Sequence, residues 1–502
     1  MMKKMLAILM TLCLLLGVGC VQAQEWPAAS YIVLSDEQVT VNGEPASTEP
    51  TSTVYTANDI VFYLAGQDFT YGEGEEWEGH TQAEADAHTV VHITKPGTYV
   101  VSGSMSAGQI AVDIDGGKKD EDAVVTLVLN GVELTCTVAP AVIFYNVYEC
   151  GDDDAETASM EVDLTHAGAN VVIADGTVNT LNGSYVARIY DPETVELSED
   201  GTEVADAKKL HKYDGTLYSK RSMNLFGGPV GDGVLNIHAK NEGLCSDLHL
   251  AIHGGNINIT SGNDGINASE DNVSVAVING GSVNIAVDGA TGEGDGIDSN
   301  GWLVINGGTV TSAGCGFSMD AGIDSDKGIY LNGGTLCASG NMFDHIAGGE
   351  AAFAVFSFDQ RQQGGAVYTL KDASGSAVAQ WTPANDFTIL VVSSEALLPG
   401  EYTLWMDETQ LGTSGGEVFG FGGRPPMGGF DPDKRPEPPE GFAPENMPKL
   451  PEGFAPENMP KPPEGFDDRR PMGKENRRPE GERQPVFTLT ESGGTFSGVG
   501  AL

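Results

Sequence analysis

The residues best suited to chemistry in this chain are acidic, and they recur at like positions. Four short motifs carry them: Glu242-Gly-Leu-Cys-Ser246, Asp264-Gly-Ile-Asn-Ala268, Asp295-Gly-Ile-Asp-Ser299 and Ala321-Gly-Ile-Asp-Ser325. If like positions stack, Glu242, Asp264 and Asp295 form one row, which Ala321 interrupts. Asn267, Asp298 and Asp324 form a second. Carboxylates held one strand spacing apart repel, so protons or a cation must offset the cost. Calcium suits such a place, because it takes six to eight oxygens from carboxylates, Asn side chains and turn carbonyls. Asp320, beside Gly322 and Ile323, is a further candidate ligand. The plainer reading is turn chemistry, since Asp and Asn favour tight turns whatever else they do.

Glycine pairs set the interval that stacks these residues. Gly227-Gly228, Gly254-Gly255, Gly280-Gly281, Gly307-Gly308 and Gly333-Gly334 follow one another at 27, 26, 27 and 26 residues. A repeat of that length marks a solenoid. Apolar positions define its coil: Leu244, then Ile252 eight residues on, Ile257 after five more, and Ile266 after another nine. Twenty-two residues therefore make the shortest coil, enough for three short strands and three turns. The expected fold is all-β: a right-handed parallel β-helix of three-strand coils with a small antiparallel β cap or sandwich near the C-terminus.

Alternation along the strand before each glycine pair turns His249, Val275 and Trp302 outward in one row. Ala251, Val277, Val304 and Tyr330 make another. An apolar outer row needs a cover or a ligand. Cover by the same chain competes with a sugar-stacking surface on Trp302, Tyr330 and His249. The loops 288–294 and 312–319 are the longest insertions and fall at one corner of successive coils, as binding-face insertions often do in solenoids.

The rest of the chain divides around this block. Residues 1–23 read as a secretory signal, with Lys3 and Lys4, an apolar run and a small-residue cleavage site. Lipid attachment at Cys20 is the competing mode. Residues 24–95 look irregular and acidic. Residues 96–345 hold the coils, with short strands expected at 98–101, 110–114, 124–129, 132–135, 141–144, 162–164 and 171–173. Residues 184–212 form an insertion. Residues 346–412 read as the β cap, 413–485 as a Pro/Gly/Glu linker containing an eleven-residue repeat, and 486–502 as a final strand returning to the cap.

Composition excludes several classes. The chain has 502 residues, 72 acidic against 26 basic, for a net charge of −46. Nucleic-acid binding needs a basic footprint, so it is not expected. No segment after the signal has the ~18 continuous apolar residues that span a bilayer. Five cysteines lie beyond the signal: Cys136, Cys150, Cys245, Cys315 and Cys337. The odd number favours buried thiols, with Cys136–Cys150 the one local pair that could form a bridge. No G-x-S-x-G, phosphate-binding loop or HExxH occurs, and no catalytic residue is assigned. A uronate lyase would need a strong base near calcium. Between 217 and 340 the only basic residues are Lys220, Arg221, Lys240 and Lys327, against thirteen acidic ones.

The segments 263–269 (NDGINAS), 294–310 (GDGIDSNGWLVINGGTV) and 320–336 (DAGIDSDKGIYLNGGTL) carry a resemblance, with 95–112 and 126–134 upstream. Together they resemble the clostridial carbohydrate-binding β-helix family, which is similar in fold to pectate and other polysaccharide lyases. The likeness covers about 90–412. It implies a secreted or cell-surface, calcium-binding protein that attaches to plant cell-wall polysaccharide, pectic chains included, without established catalysis. The metal role it implies falls on Asp264, Asp295, Asp298 and Asp324. Glu242, Ala321 and Cys245 depart from the pattern. A calcium-dependent lyase with Lys240 or Arg221 as base, and a structural surface protein, remain as alternatives.

Overall fold

The computed structural model describes residues 26, 28–151, 153–415, 483–491 and 493–502. The signal segment 1–23, Cys20 and most of the linker lie outside them. The described chain is nearly all β, with large parallel sheets. Three ladders run side by side, and each circuit of the repeat visits all three in order. Ladder one stacks Thr89–Ile93, Gly108–Asp113, Val142–Asn146, Gly215–Ser219, Glu242–Ser246, Ile266–Ala268 and Ile297–Ser299 in parallel. Ladder two includes Ala169–Ile173, Met223–Gly227, Leu250–Ile252, Val275–Ile278, Trp302–Ile305 and Gly328–Leu331. Ladder three includes Val178–Gly183, Val234–Ala239, Asn256–Ser261, Ser282–Val287, Thr309–Ala313 and Thr335–Gly340.

Register follows the apolar columns. Leu217, Leu244, Ile266 and Ile297 are partners in ladder one. Leu225, Ile252, Ile278, Ile305 and Leu331 align in ladder two, and Leu235, Ile257, Val283, Val310 and Leu336 in ladder three. All are buried in one continuous core. Each such side chain contributes about 1.5–3 kcal/mol when fully buried. A one-residue slip would turn a whole column out of the core, so the register is strongly specified.

The glycine pairs form the corner between ladders two and three. Gly281 shows why glycine is required: its φ is +86°, and a Cβ there would lie 2.6 Å from the Gly255 carbonyl oxygen. Asparagines just before the pairs join along the axis, with Asn306 Nδ2 donating to Asn279 Oδ1 and Asn332 Nδ2 to Asn306 Oδ1, both at 2.8 Å.

Residues 24–95, expected to be irregular, are largely built into the stack. Ser30–Leu34 pairs in parallel with Gly97–Met105, burying Ile32 and Leu34, and Thr89–Ile93 supplies a rung of ladder one. The first circuit would otherwise present unpaired edges, and these strands satisfy them. The strand expected at 162–164 does not form; that segment crosses the outer face of ladder two. The insertion folds as two small antiparallel pairs, Val186–Tyr190 with Lys209–Tyr213 and Glu196–Leu197 with Val204–Asp206.

At the other end, Thr335–Gly340 pairs antiparallel with Phe387–Ser394, which joins the stack to an antiparallel unit with its own aromatic-rich core. Gly494–Ala501 pairs there with Phe353–Gln362 and Thr409–Thr413. Cys136, Cys150, Cys245, Cys315 and Cys337 are all free thiols, so the Cys136–Cys150 bridge is not made. No helix among the described residues is long and apolar enough to cross a membrane.

Candidate functional site

Ladder one positions the acidic residues. Its strands there are short, and core residues Leu244, Ile266 and Ile297 alternate with Cys245, Asn267 and Asp298, which are register partners. Asp324 continues that row, its backbone N–H donating to the Ile297 carbonyl at 2.7 Å. The residue three before each forms the second row. Glycines after it let successive backbones approach: Gly243 N–H donates to Asp264 O and Gly265 N–H to Asp295 O, both at 3.0 Å. The repeat thus sets carboxylates from neighbouring circuits side by side.

Asp295, Asp298 and Asp324 come together, each offering a carboxylate oxygen within 4.8 Å of the others. The charge is poorly countered. Burial, then the charges of Asp264 and Asp324, push Asp295 up to about 9. Burial, then Asp324, push Asp298 up to about 7. Asp324 rises to about 6 through burial, then Asp344.

Asp264 and Asn267 occupy the preceding circuit. Asp264 Oδ1 accepts the Asp295 N–H at 2.7 Å, and burial followed by the Glu242 charge raises its carboxyl well above the usual range. Asn267 Nδ2 donates to Glu242 Oε1 at 3.0 Å and to Asp264 Oδ2 at 3.2 Å, placing an amide between two carboxylates. Asp320 organises loops instead: its Oδ2 accepts Gly294 N–H at 2.7 Å and the Ser318 hydroxyl.

Asp344 was not singled out in the sequence. It follows Phe343, which enters the same core as Ile323, and the preceding Asn341 N–H donates to Asp320 O at 2.7 Å. Phe343-Asp344 therefore repeats the Ile-Asp pairs at 297–298 and 323–324. The signal was present but lacked the neighbouring glycines that flagged the others. Asp344 is only 9% exposed, and its Oδ2 has no hydrogen-bond partner among the described residues. Asn267 Oδ1 is likewise buried and without one. Unpaired buried oxygens cost about 1–3 kcal/mol each, so their presence beside the triad matches a site built for a hard cation. Every donor in the triad is oxygen.

The aromatic candidates separate. Trp302 is half-buried, with the Lys327 ammonium 5.5 Å above its ring centroid. Tyr330 is half-buried against Gly348, where a Cβ would stand 3.1 Å from the ring. His249 is 1% exposed, which removes it from any sugar-facing surface. Its Nδ1 accepts Val275 N–H at 3.1 Å, and Gly151 lies directly on its ring. The same covering segment packs Leu164 and Ala167 over Ala251 and Val277. Upstream, then, the outer apolar row is covered by its own chain, while Trp302 and Tyr330 lie beyond that cover.

Neither candidate base stands at the triad. Lys240 Nζ reaches Thr137 O at 3.4 Å and Arg221 donates to Lys220 O at 3.0 Å, both in circuits before Asp264.

Stacked parallel sheets with a corner of converging carboxylates define an all-β protein. The chain belongs to the family described as "Carbohydrate-binding domain-containing protein", whose model matches residues 87–348. A relative of that description from Acetivibrio thermocellus is 29% identical over 170 residues, 34% of this chain. The match spans 44% of that relative's length. A solved structure of a polysaccharide lyase-like protein from C. thermocellum, as its gadolinium derivative, is similar at TM-score 0.33 and 21% identity, covering 62% of this chain and 94% of that one.

Proposed function

We propose that this chain is an exported, calcium-binding protein that attaches to plant cell-wall polysaccharide without cutting it. The three ladders are read as the faces of a right-handed parallel β-helix. The single observation that carries the calcium reading is the convergence of Asp295, Asp298 and Asp324 to within 4.8 Å. These three would hold the ion, with Asp344 as a neighbouring carboxylate. The bound ion would supply positive charge to the carboxylates of a pectic chain such as polygalacturonate, on a protein whose own net charge is −46.

The chain's own residues do the rest. Trp302 and Tyr330 offer ring faces to the C–H face of a sugar, for cellulose as for a pectic chain. Asp320 fixes loop 288–294 against loop 312–319 beside the acidic row. Elimination from a uronate would require a base at the cation, and Lys240 and Arg221 are engaged in earlier circuits, which supports binding without cleavage. Export through residues 1–23, lipid attachment at Cys20 as its alternative, and association with the cell wall belong to the same proposal.

The test is a pull-down on polygalacturonate and on cellulose, with calcium or with EDTA, alongside an ultraviolet assay for unsaturated uronide. Retention on polygalacturonate with calcium, release by EDTA and no absorbance change are expected. Product formation would overturn the non-catalytic reading, and retention indifferent to EDTA would overturn the role of the cation.

A further inference from the structure

We infer that Phe317, with Met319 beside it, is a sugar-stacking platform on the edge of ladder one opposite Trp302. The inference rests on the carbohydrate-binding reading above and adds a residue and an edge that reading does not use. Phe317 lies in the loop between Thr309–Ala313 of ladder three and the Ile323 rung of ladder one. The loop is held on both sides. Gly314 N–H donates to Ser339 O at 2.9 Å, Cys315 N–H to Gly294 O at 2.8 Å, and Asn341 Nδ2 to Ser318 O at 2.9 Å. From the antiparallel unit, Asn385 Nδ2 donates to Gly314 O at 2.8 Å.

A loop fastened this closely could have tucked an aromatic ring away, yet Phe317 stays 45% exposed and Met319 56% exposed. One edge of the Phe317 ring rests on loop 288–294, where a Cβ on Gly289 would come within 2.7 Å of ring Cζ. Gly289 has φ +68°, so glycine is favoured there on both counts. A single exposed apolar residue is ordinary, but two within three positions on a fixed loop beside a charged site form a built apolar surface.

Position identifies the occupant. Loop 312–319 leads into ladder one, and Trp302 follows it: Ser299 Oγ donates to Trp302 O at 3.0 Å. Between those edges the strand Ile297–Ser299 spans about 10 Å. Along the coil, Asp298 and Asp324 therefore fall between the loop that carries Phe317 and the strand that Trp302 opens. A pyranose ring has an apolar C–H face and a rim of hydroxyls or a carboxylate. Its face would stack on Phe317, while its rim meets the acidic row or the cation held there. An apolar peptide would match the rings but not the neighbouring row of carboxylates.

The experiment compares the full chain with Phe317→Ala, Phe317→Leu and Phe317→Trp. It measures affinity for oligogalacturonate and cello-oligosaccharide with calcium, terbium luminescence as a readout of the acidic site, and the melting temperature. Truncating a ring that carries a contact is expected to weaken glycan binding about tenfold or more in Phe317→Ala. Phe317→Leu should weaken it nearly as much and Phe317→Trp should retain it, with terbium binding and melting unchanged in all three. Equal affinity of wild type and Phe317→Ala for both glycans overturns the inference while leaving the proposed function standing. No binding of either glycan by the wild type overturns both.

Discussion

Two stretches of the same acidic column meet its charge in opposite ways. In the upstream stretch, Cys245 and Asn267 occupy the register positions that Asp298 holds two circuits and one circuit later. There a thiol and an amide replace carboxylates, and the Asn267 amide lies between Glu242 and Asp264. Lys212, from the last strand of the insertion, pairs with Asp214 at 2.8 Å at the head of the row. Burial, then the Asp214 charge, push Glu242 up to about 8. Downstream, Asp295, Asp298, Asp324 and Asp344 face mostly one another. The upstream stretch sets an amide and an ammonium among its carboxylates, whereas the downstream triad is carboxylates alone.

The largest expected effect breaks the contrast directly. Asp298→Asn combined with Asp324→Asn should lower lanthanide or calcium affinity at least about a hundredfold, because ligand charge count sets affinity at such sites. Glu242→Gln should change it less than about threefold. Titration calorimetry with each variant measures both, and equal losses would erase the difference between the two stretches.

Next comes pH. The carboxyls of Asp324, Asp298 and Asp295 sit at about 6, about 7 and about 9 against an unfolded value near 3.8, all raised first by burial. The folded state therefore binds more protons than the unfolded state, and its stability without metal falls as pH rises. The fall should run from about pH 4 up to about 9, followed by melting temperature in EDTA. Calcium should flatten that slope, since binding displaces the same protons. A metal-free protein that gains stability between pH 5 and 8 would contradict the assignment.

Asn267→Asp extends the downstream chemistry one circuit up. In EDTA it should destabilise by about 1–3 kcal/mol, because a donor between two carboxylates becomes a third acceptor. Calcium should restore most of the loss. The smallest effect is expected from Lys212→Met, under about 1 kcal/mol by thermal melting, since its side chain is 45% exposed and solvent screens the pair.

Much of this was legible in the sequence because the repeat fixes it. The columns through Leu244, Ile252 and Ile257 are read from spacing alone, and the register that stacks Asp298 on Asn267 follows from them. What escaped came from outside the period. His249 alternates outward as its position dictates, yet Gly151, distant in sequence, lies on its ring, and Leu164 and Ala167 cover the neighbouring Ala251 and Val277. Asp344 sits in a circuit whose Phe343 fills the Ile323 position without the flanking glycine. The strands at 30–34 and 89–93 precede the repeat, so nothing periodic announced that they complete its first rungs. Phe317 lay inside a loop already marked by its length; only its pinned backbone and exposed ring show what the loop presents.

The most direct test is a calcium titration of the full chain at neutral pH, wild type beside Asp298→Asn, followed by calorimetry and by the shift in melting temperature. Saturable binding by the wild type, with a rise in melting temperature that Asp298→Asn largely abolishes, is the expected result. Calcium that neither binds nor stabilises the wild type, or that serves Asp298→Asn equally well, would contradict it.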